Sequence, residues 1–125
     1  MRTAQDLALA SLTNVKARNR DGWLALFAED AFVQDPVGPS PTSPDGKGHV
    51  GKAAITRFYD DVISKAQGLD FVIHKMIPCG DECAVHVTLL PTGPDGVRRE
   101  TEAINLYKAT PDGRLASLRS FWTRG

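Results

Sequence analysis

The chain has no excess of charge of either sign. Fifteen Lys and Arg residues are matched by fifteen Asp and Glu, so the formal net charge is zero at neutral pH. A nucleic-acid binder needs a basic footprint to neutralise phosphates, and a polybasic membrane patch needs the same excess; neither partner is expected. Long apolar runs are missing as well. No stretch approaches the roughly 18 residues of a membrane-spanning helix. The opening MRTAQDLALASL has neither an extended apolar core nor a small-residue cleavage site, so no signal peptide is read. Only two cysteines occur, Cys79 and Cys83, too few to staple 125 residues. A soluble, reducing, cytoplasmic setting is the expectation.

Several common chemistries are also absent. GKAAITRFYDD lacks the spaced glycines and the preceding strand of a phosphate loop. No serine is framed as a nucleophile elbow. His74, Cys79, Cys83 and His86 look symmetric in HKMIPCGDECAVH, but the cysteines straddle a hairpin turn and the histidines sit mid-strand. Zinc needs four ligands converging tetrahedrally on one point, so no metal and no cofactor are expected. The run RRETE at 98–102 reads as a solvated strand edge.

What is present is an ordinary globular balance, 42% hydrophobic and 24% charged, in a length suited to one domain over residues 1–125. TAQDLALASLTNVKAR repeats Leu7, Ala10, Leu12 and Val15 near helical spacing, and Thr3 with Asp6 forms a capping box with Asp in place of Glu. RDGWLALFAED predicts a second, shorter helix and AFVQD a short strand. Residues 36–48 hold four prolines and three glycines and are loop. HVGKAAITRFYDDVISKAQG predicts a third helix that buries Ala54, Ile55, Phe58, Tyr59 and Val62, with Gly68 as its cap.

The period then changes. LDFVIHKMIP, ECAVHVTLL, VRRETEAINLYKA and RLASLRSFWTR are strand candidates separated by the turns CGDE, PTGPDG and TPDG. Helices followed by a meander give an α+β fold, a cone-shaped curved antiparallel sheet wrapped around three N-terminal helices. The cone would enclose an apolar interior, a default small-molecule site. Strand parity puts Leu118, Ser120 and Trp122 on one face, and Ala103, Asn105 and Tyr107 on one face of the preceding strand. Parity alone leaves open which faces look inward. Asn105, between Ile104 and Leu106, needs a partner if buried, and that partner can be backbone or ligand. Asp35 raises a similar choice. In AFVQDPVGPSP it ends an apolar run just before Pro36, either as a turn residue bonding nearby N–H groups or as a carboxylate held at a cavity.

WLALFAEDAFVQDPVG, GKAAITRFYDDVI and NLYKATPDGRLASLRSFW together resemble steroid Δ5-3-ketoisomerase and its relatives in the superfamily similar to nuclear transport factor 2, which also holds SnoaL-like polyketide cyclases. The resemblance runs over nearly the whole chain, and QDPVG is its most specific element. In those isomerases an Asp moves the proton while a Tyr and a protonated Asp form the oxyanion hole, an established mechanism rather than one inferred from this chain. Carried over by residue, the resemblance implies Asp35 as the base and Asn105 where the protonated Asp would stand. The oxyanion Tyr falls near Ser11, in a helix with no tyrosine. Tyr59 matches a tyrosine that supports the oxyanion donor, and Trp122 a pocket wall. Tyr59, Trp122, Leu118, Ser120, Phe27 and Ser11 are therefore the expected ligand contacts. The implied function is isomerisation of a 3-keto-Δ5 steroid by a homodimer. The alternatives are a non-catalytic binder of a small apolar, steroid-like ligand, and another superfamily enzyme, a SnoaL-like cyclase or epoxide hydrolase.

Overall fold

The computed structural model describes residues 1–123. Helix α1 spans Ala4–Lys16, and its entry is the expected capping box: Thr3 accepts from the Asp6 N–H while the Asp6 carboxylate accepts from the Thr3 N–H. Its buried residues are Ala4, Leu7, Ala8, Ser11 and Leu12. That i, i+3, i+4, i+7, i+8 stripe is what an amphipathic helix lays on a core. Ala10 and Val15 pack at its margin. Burying one leucine such as Leu7 contributes about 1.5–3 kcal/mol.

The second helix is shorter than its sequence predicts. Helix α2 covers only Arg20–Leu24, and strand β1 begins at Phe27 and runs to Gln34. The apolar run WLALF suits either a buried helix or a buried strand. Tertiary pairing decides: β1 lies parallel to β6 (Leu115–Phe121), with Phe27 opposite Leu115 and Val33 opposite Leu118. The third helix is also trimmed. His49–Val50 form a two-residue strand, β2, paired to β1, and α3 covers Lys52–Asp61. A 3-10 turn follows at Ile63–Lys65, so Gly68 does not cap a helix. It opens strand β3, Gly68–Cys79.

Strands β3, β4 (Glu82–Thr92), β5 (Thr101–Ala109) and β6 form the expected antiparallel meander. With β1 and β2 the sheet has six strands in the order β2-β1-β6-β5-β4-β3, and the β1–β6 pair is its one parallel contact among the described residues. The sheet is curved and unclosed, with the helix cluster packed against it, an α+β cone. Arg124, at the end of the fourth strand candidate, lies outside the described residues. The alternation left open by the sequence is resolved: Ala103, Asn105, Tyr107 and Ala109 are buried along β5, and Leu118 and Ser120 along β6. Ile104 and Phe121 face outward, 42% and 39% exposed, so β5 is covered on one side only.

Candidate functional site

An apolar cavity of about 190 Å³ lies between α1, α3 and the inner sheet face. Its floor is made of buried residues from four elements: Ser11 of α1, Trp23 of α2, Asn105 and Tyr107 of β5, and Ser120 of β6. Register explains why the last three meet. Asn105 pairs with Ser120 and Tyr107 with Leu118, so same-face side chains stand next to one another across the two strands.

These polar groups satisfy one another. The Ser120 hydroxyl donates to Asn105 Oδ1 at 2.6 Å, and Asn105 Nδ2 donates to the Tyr107 hydroxyl at 3.1 Å. The Trp23 indole donates to Ser11 Oγ at 3.0 Å, and Ser11 shares a hydrogen bond with the Tyr107 hydroxyl. Asn105 thus has side-chain partners, not backbone ones. The Tyr107 oxygen accepts a hydrogen bond from Asn105, and one further bond joins it to Ser11. That bond uses one of the pair's two hydroxyl hydrogens. Burial pushes the Tyr107 phenol up to about 12, against the smaller opposing effect of its hydrogen bonds. It stays protonated, and remains a donor, at any ordinary pH.

Asp35 stands on the cavity wall, just past the end of β1, where the next peptide bond, to Pro36, is cis. It is half-buried. Trp122 Nε1 donates to its Oδ1 at 2.6 Å. Burial raises the carboxyl above the ordinary aspartate value, and the Trp122 bond lowers it by less. The wall therefore presents a poorly solvated carboxylate, and the floor presents amide and hydroxyl donors. Such a pair can accept a proton from carbon while stabilising charge on a neighbouring oxygen.

Two expected contacts lie elsewhere. Phe27 is fully buried behind the floor, its ring edge-on to Trp23 with centroids 4.7 Å apart; as the first residue of β1 it fills the core and does not line the cavity. Trp122 follows the last residue of β6, so strand parity no longer aims it inward. It reaches the site through its bond to Asp35 and lines an outer groove with Ile104, Phe121 and His86. Tyr59, Leu118, Ser120 and Ser11 line the cavity. Tyr59 packs on Trp23, centroids 5.5 Å apart, and the Asn105–Tyr107–Ser11 chain runs without it. Tyr107 is the residue that sequence reasoning passed over. Its shared face with Asn105 was the available signal, but its meeting with Ser11 joins residues 96 positions apart. His74 and His86 face outward, bonded to Thr88 at 2.7 Å and Glu102 at 2.9 Å, on a different surface from buried Cys83.

The family model described as a SnoaL-like domain matches residues 8–118. Among solved structures, a Δ5-3-ketosteroid isomerase from Mycobacterium sp. is 32% identical with a TM-score of 0.90, covering 98% of this chain and 95% of its own. Rv0760c from Mycobacterium tuberculosis, solved with estradiol-17β-hemisuccinate, is 31% identical with a TM-score of 0.89, covering 98% and 95%. SalBIII, an epoxide hydrolase/cyclase-like enzyme of pyran ring formation in salinomycin, is 21% identical with a TM-score of 0.81, covering 96% and 90%, a likeness of fold alone.

Proposed function

The chain belongs to the SnoaL-like domain family, and from that premise we propose that it is a ketosteroid isomerase-type enzyme acting on a flat, apolar 3-keto-Δ5 steroid. The observation that carries the reading is the Asp35 carboxyl, desolvated on the wall of an apolar cavity whose floor is a cluster of donors. Asp35 Oδ2 takes the proton from the carbon between the ketone and the double bond. The resulting dienolate oxygen is held by the floor, through Tyr107 and Asn105. The same proton returns at the far end of the diene, giving the conjugated enone. Nothing is gained or lost overall, so no cofactor is called for.

A raised carboxyl is a stronger base than an exposed one, which favours removal of a carbon-bound proton. An amide at position 105 donates at every pH, where a carboxyl would need to stay protonated. The apolar walls, Leu12, Val15, Leu89 and Leu118, suit a hydrocarbon ring system. The working form is proposed to be a cytoplasmic homodimer joined through the outer sheet face, where Val72, Ile104 and Phe121 are exposed; sedimentation of the purified chain tests this.

The decisive assay is the growth of enone absorbance from a 5-ene-3-ketosteroid, with binding measured in parallel. Turnover above buffer that depends on Asp35 supports the reading. Saturable binding with no turnover leaves a steroid-binding protein instead, and no binding leaves the cyclase or hydrolase class.

A further inference from the structure

Among the described residues lining the cavity, only Asp35 and Arg18 carry charge. They differ in setting. Asp35 is half-buried on the cavity wall, whereas Arg18 is exposed and marks the mouth, beside the half-buried Ala66, Gly68, Leu69 and Pro91. Ser11 lies five residues before the end of α1 at Lys16, a span of about 7.5 Å along the helix axis, and Arg18 lies beyond that end.

Arg18 is held there at a conformational cost. Helix α1 ends in a Schellman-type turn in which the Arg18 N–H bonds Val15 O at 3.0 Å and the Asn19 N–H bonds Asn14 O at 2.9 Å. Arg18 occupies its left-handed position, with φ of 58°. Glycine is the low-strain residue at such a position, and asparagine the next. A non-glycine residue kept in that region beside a ligand cavity points to a use for its side chain.

The side chain is also pre-oriented. Nη1 donates to Ala66 O at 2.7 Å and Nη2 to Ser64 O at 3.3 Å, which fixes the guanidinium against the segment forming the mouth. Two of five N–H groups are used, and three remain. The nearby carboxylate, Asp70 after Leu69, is engaged by Lys16 at 2.9 Å and by Arg98 at 3.7 Å. The mouth thus has cationic surplus, and Arg18 keeps donors in a fork that matches a carboxylate.

Resting on the isomerase reading of the same cavity, we propose that Arg18 recognises a carboxylate at the end of the ligand opposite its keto group. The substrate class is then a 3-oxo steroid bearing an acidic side chain on its far ring. The keto oxygen meets the donors at the floor, the apolar rings fill the middle, and the acid meets Arg18 at the rim. The reverse orientation would bury a carboxylate near Asp35, where like charges repel.

The test is calorimetry with 3-oxoandrost-4-ene-17β-carboxylic acid and its methyl ester, which share a skeleton and differ in one charge. The wild type should bind the acid about tenfold more tightly than the ester, the scale of one charge-assisted contact. Arg18→Gly suits the backbone at this position and should keep the fold. It should remove the preference, so that acid and ester bind the variant with equal affinity. Added salt should narrow the wild-type preference. Equal affinities in the wild type, or a preference that survives Arg18→Gly, would overturn the assignment while leaving the steroid reading intact. Failure of both the acid and the ester to bind the wild type would remove the steroid reading and this inference with it.

Discussion

The Trp122 indole donates to Asp35 Oδ1 at 2.6 Å, and this bond opposes burial in setting the carboxyl's affinity for protons. Burial is the larger effect and raises it; the indole favours the ionised form and lowers it. Trp122→Phe keeps an aromatic ring and removes the donor. The Asp35 carboxyl should then rise further, and the acid limb of the kcat/KM profile should move to higher pH. A pH–rate series on both proteins checks this. An unmoved limb would mean that the indole does not tune the reacting group.

Asp35→Asn removes the proposed base while nearly preserving shape. Turnover should fall to the buffer rate, and affinity for a planar steroid phenol should stay within about threefold, since the amide keeps the wall in place. Stability gives a second readout. Because the folded-state carboxyl is raised, the folded protein holds its proton over a range where the unfolded chain has released it. That contribution is fully present below the ordinary aspartate value and is lost as pH rises through the raised one. Asp35→Asn should therefore raise Tm at neutral pH, and the gain should vanish in acid. Thermal melts across pH measure it, and a variant less stable than wild type at neutral pH would contradict the desolvation argument.

Tyr107→Phe deletes the hydroxyl that joins Asn105 to Ser11. Turnover should drop by about two to three powers of ten if this phenol faces the enolate oxygen, the usual cost of one oxyanion donor. Unfolding free energy should fall by about 1–3 kcal/mol, because buried partners lose their bond. In ultraviolet titration one tyrosine should stay protonated until about pH 12 in the wild type, and that late step should be missing in the variant.

Much of this arrangement is readable from local pattern. The capping box at Thr3 and Asp6 is local chemistry, and it forms as its residues dictate. The period-two strands, their turns and the shared faces of Asn105 with Tyr107 and of Leu118 with Ser120 follow from side-chain alternation. Asp35 stands out because it ends an apolar run at a proline. The rest depends on partners distant in sequence. LFAED reads as helix until β6 offers Phe27 a strand to pair with. Phe27 looks like a pocket wall until Trp23 stands in front of it. Trp122 keeps strand parity on paper, but β6 stops at Phe121. Arg18 looks like any surface arginine, because neither its left-handed backbone nor the carbonyls of Ser64 and Ala66 can be read from neighbouring letters.

Those long-range contacts reverse the simplest engineering idea. The isomerase resemblance places a tyrosine where this chain has Ser11, which suggests Ser11→Tyr as a route to a faster enzyme. Ser11 is buried at 3% exposure, accepts the Trp23 indole proton and bonds the Tyr107 hydroxyl. The phenol at this cavity floor, proposed as the oxyanion donor, arrives from β5 and occupies space that a tyrosine on α1 would need. Two phenols would then compete for one floor. Ser11→Tyr alone should lower stability by about 1–3 kcal/mol, as overpacking of a filled core does, and should leave turnover unchanged or reduced. Joining it to Tyr107→Ala opens the space again, so the double variant should recover both stability and turnover relative to either single change. Melting temperatures and initial rates for the four proteins of this cycle give the coupling directly. Independent, additive effects of the two substitutions would mean that the phenols do not share a site, and the assignment of Tyr107 to the floor of the active cavity would fail.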